Sequence, residues 1–186
     1  MSEIHRYFER KQDDLLKGMH VCSLCRIEKV DLSLMKADVV PLFEEDLPII
    51  KNVPIAAQQT DDFIIRVPYK KGDIVLAVFS QRDIDSIMYG GGESSVRMMA
   101  IDDAIIVGGI NLFTKPLPIE NSEDLVISKK DFSTKLVLTK SGDILFQAAN
   151  KLVIDAPGGV DIKGGDIRMT GGAITANGED LNTDLV

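Results

Sequence analysis

The chain has 186 residues, is 45% hydrophobic and carries a formal net charge of −8. That suffices for one or two cored domains, while the acidic balance disfavours nucleic acid and anionic lipid headgroups, which select basic surfaces. No apolar run approaches the ~18 residues of a membrane span, and a sequence with only Cys22 and Cys25 makes no disulfide framework.

The opening segment, MSEIHRYFERKQDDLLKGM, predicts a helix within residues 1–19. Ser2 is placed to cap it, Ile4, Phe8, Leu15 and Leu16 fall roughly on one stripe, and Gly18 is a natural stop. The segment is charged throughout, unlike a signal peptide, so the chain is expected to be made and kept in a cytoplasm.

From 20 to 115 the pattern has period two. CRIEKVDLSLMKADVVPL is expected as strand, with Ile27, Val30, Leu32 and Leu34 buried. FIIRVPYKKGDIVLAVFSQRDIDSI predicts two strands around the turn Lys70-Lys71-Gly72-Asp73, and DAIIVGGI adds another apolar run. Few, short strands with turns between them favour a small closed barrel of the oligonucleotide/oligosaccharide-binding (OB) type over a sandwich. TKPLPIENSEDLVISKKD, at 114–131, reads as a connector too short to hide another domain, the connector proper being 116–134.

Residues 135–186 repeat. Apolar pairs two apart occur at Leu136/Leu138, Ile144/Phe146, Leu152/Ile154, Val160/Ile162, Ile167/Met169 and Ile174/Ala176, their starts 8, 8, 8, 7 and 7 residues apart. Each pair predicts a short strand with one buried face. The intervening KSGD, AANK, APGG, KGG and TGG predict tight corners at positive φ, with Asn150 standing where the rhythm asks for glycine. Such a period means a solenoid or stacked array. A ribbon of these strands would be marginal alone, with open edges, and winding several identical chains together removes those edges.

The segment VPIAAQQTDDFIIRVPYKKGDIVLAVFSQRDID, then RMMAIDDAIIVGGI, then the glycine-punctuated octads resemble the central spike, or membrane-puncturing needle, proteins of contractile-tailed phages and phage-tail-like particles. The resemblance runs over about 20–181. It implies an all-β fold: an OB-fold barrel followed by a C-terminal trimeric intertwined β-helix, with the short N-terminal helix in front. It also implies a homotrimer, baseplate hub and tail-tube partners, and passage through a host cell envelope, with assembly in the bacterial cytoplasm. Many such spikes end in a His-x-His motif that binds iron. Here the only histidines are His5 and His20, so no metal site carries over. Six octads stacked at ~4.7 Å per strand give a needle of about 30 Å, against ~40–45 Å for a bilayer with its headgroups. A separate tip protein is therefore expected near Val186.

The remaining motifs predict no catalytic, cofactor-binding or metal-ligating residue, and no enzyme. Cys22-Ser23-Leu24-Cys25 lacks a second pair, and in a strand residues three apart face opposite ways. Acidic neighbours (Glu44-Glu45, Asp61-Asp62, Asp102-Asp103) do not establish the geometry of glycosidase carboxylates. YGGGESS at 89–95 lacks the lysine and following helix of a phosphate loop and is expected as a hairpin tip. Asp143, Asp155, Asp161 and Asp166 are expected on the surface as solubilising groups. The alternative function is an OB-fold saccharide or nucleic-acid binding module with a small β-solenoid, for which the aromatic platforms are few. An enzyme on a β-helix scaffold would need many more coils.

Overall fold

A computed structural model describes residues 3–17, 19–43, 48–92, 95–170, 175–176 and 179–180. The expected cap Ser2, the stop Gly18, the pair Glu44-Glu45, Glu93-Ser94 of the glycine loop, the pair Gly171-Gly172, Ile174 and the end at Val186 lie outside the described residues, as do the side chains of Leu15 and Leu16. The chain divides into two compact units, one ending at Pro116 and one starting at Leu117. The first holds helix α1 (Glu3–Lys17) and a five-stranded sheet.

That sheet is built from β1 (Cys22–Asp31), β2 (Lys36–Pro41), β3 (Ile50–Pro54), β6 (Ile74–Phe79) and β7 (Ala104–Gly109). A separate two-stranded ribbon joins β4 (Gln58–Gln59) to β5 (Ile64–Ile65). The sheet order is β3-β2-β1-β6-β7, with antiparallel ladders throughout. Its two edges then meet: Ile55 and Ile106 form a parallel bridge, and the Ala56 N–H donates to the Ile106 carbonyl at 2.8 Å. The sheet therefore curls round one core. Every second residue supplies it: Cys25 and Ile27 from β1, Ala37 and Val39 from β2, Val75 and Ala77 from β6, Ala104 and Ile106 from β7.

The stretch expected as one strand is a hairpin. The Asp31 carboxylate accepts from the Ser33 N–H (3.0 Å), the Ser33 hydroxyl (2.6 Å) and the Leu34 N–H (3.2 Å), which closes a turn over 32–35. Val30 packs partly against the core, but Leu32 is only half-buried, and Leu34, at the turn, is 65% exposed. The turn at Lys70–Asp73 forms as expected. Gly72 sits at φ +90° and donates its N–H to Ile27 O at 2.8 Å, and Lys70 N–H donates to the Asp73 carboxylate at 2.9 Å. The strand before it is reduced to β5, because Pro68 carries no N–H for a ladder.

The second unit opens with a three-stranded antiparallel sheet of order β10-β9-β8. Its strands are β8 (Leu125–Ser128), β9 (Lys135–Leu138) and β10 (Ile144–Gln147). Strand β8 lies in the stretch expected to be a bare connector. On β9 Lys135 and Val137 are buried within the chain, while Leu136 is half-buried and Leu138 is 41% exposed, so the expected apolar pair faces away from the interior of the single chain. Lys135 explains it: its ammonium donates to Glu120 Oε2 (2.7 Å) and Asn121 Oδ1 (3.1 Å) and lies 5.6 Å from the Phe132 ring centroid. A satisfied ammonium can be buried, so the even-numbered side chains are turned outward.

After β10 the regular ladder stops. Residues 148–170 pair with none of the described strands, and their turn at 156–159 is closed by Gly159 N–H to Ala156 O at 2.9 Å. A last short ribbon pairs β11 (Thr175–Ala176) with β12 (Glu179–Asp180). The expected corner geometry is partial. Gly142 and Gly159 take φ near +100°, whereas Gly158, Gly164 and Gly165 do not take the left-handed conformation, and neither does Asn150. The described residues of the single chain do not show a β-helix.

Candidate functional site

Three regions of the molecule are candidates for function: a carboxylate–arginine cluster beside a cleft in the first unit, and an apolar sheet face and an extended repeat in the second.

The cluster is centred on Arg97. Its Nη2 donates to Asp85 Oδ2 (2.8 Å), Asp103 Oδ1 (2.8 Å) and Asp83 Oδ1 (3.2 Å), and its Nε to Asp103 Oδ2 (3.0 Å). Asp103 ends a 3-10 turn (Ile101–Asp103) and is fully buried; it also accepts from the Ile84 N–H at 3.2 Å. Asp83 accepts from the backbone N–H of Ser95 (2.7 Å) and Asp85 (2.9 Å). The Ser95 amide, then that of Asp85, with the Arg97 charge adding, hold the Asp83 carboxyl below the usual range, and hydrogen bonds to Asp103 and Asp85 raise the Arg97 guanidinium. The cluster clamps both ends of the segment that carries short helix α2 (Asp85–Met88) and Gly90–Gly92, all three glycines at positive φ.

Beside it lies an open cleft of about 370 Å³, lined in part by Lys51, Asp85, Tyr89, Arg97 and Asp102. The guanidinium that would recognise an anion there already serves three carboxylates. Asp102 and Asp103 do not act together, since Asp102 is exposed while Asp103 is consumed by Arg97. Asp61 and Asp62 are exposed as well. Sequence reasoning missed Arg97; the signal was a lone cation in the apolar run VRMMAI, with Asp83 and Asp85 spaced to share it.

Other singled-out residues separate. Cys25 is buried and burial pushes its thiol up, while Cys22 is exposed. His5 lies 3.2 Å from Glu9 on α1, and His20 packs against Phe79 with ring centroids 5.4 Å apart. No group of metal-ligating side chains assembles among the described residues. Tyr89, at the start of the glycine loop, is 70% exposed, and Asp143, Asp155, Asp161 and Asp166 are exposed.

In the second unit, cross-strand register makes two apolar rows. Leu125 pairs with Leu138, which pairs with Ile144; Ile127 pairs with Leu136, which pairs with Phe146. All six side chains are on one face. Leu125, Ile127, Ile144 and Phe146 are each 62–64% exposed. Downstream, Leu152, Ile154, Val160, Ile162, Ile167 and Met169 are each 54–68% exposed. Contiguous exposed apolar surface of this kind is uncommon on monomeric proteins.

Residues 26–109 match the family model of the phage protein Gp138 N-terminal domain. The match spans the curled sheet from β1 to β7, a little under half of the chain. It supports a phage tail- or baseplate-associated structural protein. The second unit, with its apolar rows and extended repeat, lies outside the Gp138-like stretch. No curated protein matches the chain. No helix among the described residues is long and apolar enough to cross a membrane.

Proposed function

We propose that the chain is the central spike of a contractile phage tail or phage-tail-like particle. Three copies associate; their barrels form a collar on the tail tube and baseplate hub, and their repeats wind into a needle that leads the tube through the host envelope. The role is mechanical, with no catalytic residue, metal or cofactor assigned, and a separate tip protein completes the needle.

The observation that carries this reading is the extended repeat at 148–170. Backbone N–H and C=O groups are obligatory hydrogen-bonding groups, and here alternating apolar side chains lie in water beside a backbone with no ladder to the described strands. Two further copies would supply both the ladder and the cover. The strand order β3-β2-β1-β6-β7, closed by the parallel Ile55–Ile106 bridge, supports reading the first unit as an OB barrel. The Gp138-like match supports the phage setting.

Light scattering after size exclusion tests it, on the full chain and on a copy ending before Lys135. A full-length trimer that becomes monomeric on truncation is expected. A full-length monomer would sink the spike reading.

A further inference from the structure

The β8–β10 sheet has an apolar face that the described residues of its own unit leave largely exposed, and the face begins ten residues before the glycine-punctuated repeats, at Leu125. An open groove of about 470 Å³ is lined in part by Ile127, Leu136, Phe146 and Leu152 and by Lys129 and Lys151. The opposite face is different: there Val137 is fully buried and Lys135 is locked to Glu120 and Asn121. One face is therefore committed inside the unit and the other is not.

We infer that this face and groove seat residues 152–162 of a second copy of the same chain. The inference rests on the spike reading above and names a surface through which copies meet. Three features fit that occupant. The six side chains of the two rows carry no charge, so copies of an acidic chain meet there without like-charge repulsion. The segment LVIDAPGGVDI offers apolar residues at Leu152, Ile154, Val160 and Ile162, with the same two-residue spacing as the rows. Its only charges are Asp155 and Asp161, opposite in sign to Lys129 and Lys151, which line the groove.

The sequence contains no tryptophan, so F146W is a single reporter. In the full chain its emission should be blue-shifted and shielded from a soluble quencher at concentrations where light scattering gives an oligomer, and it should turn red and quenchable on dilution to monomer. I127E should raise the concentration for half-dissociation by at least about 100-fold, because a charge would be buried without a partner. Both positions are exposed in the single chain, so neither change strains the monomer; L125W repeats the reading if F146W fails to fold. An oligomer in which both tryptophans stay red and I127E has no effect overturns this inference and leaves the spike reading standing. A blue-shifted tryptophan in a monomer also overturns it, since the cover then comes from the same copy. A full chain that is monomeric with red emission ends both.

Discussion

Asp103 has both carboxylate oxygens committed to Arg97 and a third contact to the Ile84 amide, at zero exposure. Removing the guanidinium leaves that charge buried without its partner, so R97A should destabilise the first unit by about 3 kcal/mol in urea unfolding, and R97K should recover part of it, because an ammonium cannot reproduce the fork. Acid should act on a second set of carboxylates. Asp31, Asp83, Asp124 and Asp131 are held below their ordinary 3.8, led by the Ser33 hydroxyl, the Ser95 amide, the Asn121 side chain and the Ser133 hydroxyl respectively. A carboxyl depressed in the folded state stabilises fully above its unfolded value and loses that contribution as pH falls through the folded one. The thermal midpoint should therefore be flat above about pH 5 and fall below about pH 4. D31N and D131N should each flatten the acid limb; an unchanged limb would show that these turns add nothing in acid.

Elements close on single contacts, and these give sharper tests. Ile106 is fully buried and joins the sheet's two edges at Ile55, so I106A should cost about 3–4 kcal/mol. A methyl group at Gly72 would meet open space, but φ is +90°; G72A should cost about 1–2 kcal/mol through backbone strain alone. Much of this layer was legible in the sequence. Alternation at Cys25/Ile27 and Val75/Ala77, and the Lys-Gly-Asp turn, are local signals. The hairpin at 32–35 was not, because Leu32 and Leu34 keep the period of a strand while the Asp31 carboxylate reverses it. Strand β8 hid for a similar reason, its four residues flanked by charges and prolines. The facing of β9 depended on Glu120, fifteen residues from Lys135, and no local pattern carries that. The Arg97 cluster gathers residues from 83 to 103, which period-based reading does not connect.

At the scale of the whole molecule, the two units differ in what they need. The first closes a core of its own, whereas the second leaves the described apolar pairs at 152–169 in solvent. The first should therefore unfold with a midpoint independent of protein concentration once separated from the second, while the full chain's midpoint should rise with concentration, as for any state stabilised by association. Calorimetry at two concentrations about 30-fold apart reads this directly, and identical midpoints would argue for a self-sufficient monomer.

The position of the exposed repeat along the chain carries a further consequence for biosynthesis. Residues 152–169 leave the ribosome after every residue of the curled sheet, whose closing bridge spans positions 55 and 106. That bridge is non-local and correspondingly slow to form. Translation at ~5–20 residues per second delays the exposed repeat by several seconds, time in which the curled sheet can complete before that repeat emerges into the crowded cell. A gene permuted to place the repeat first would lose that delay, and its product should collect in inclusion bodies even where the finished fold is equally stable.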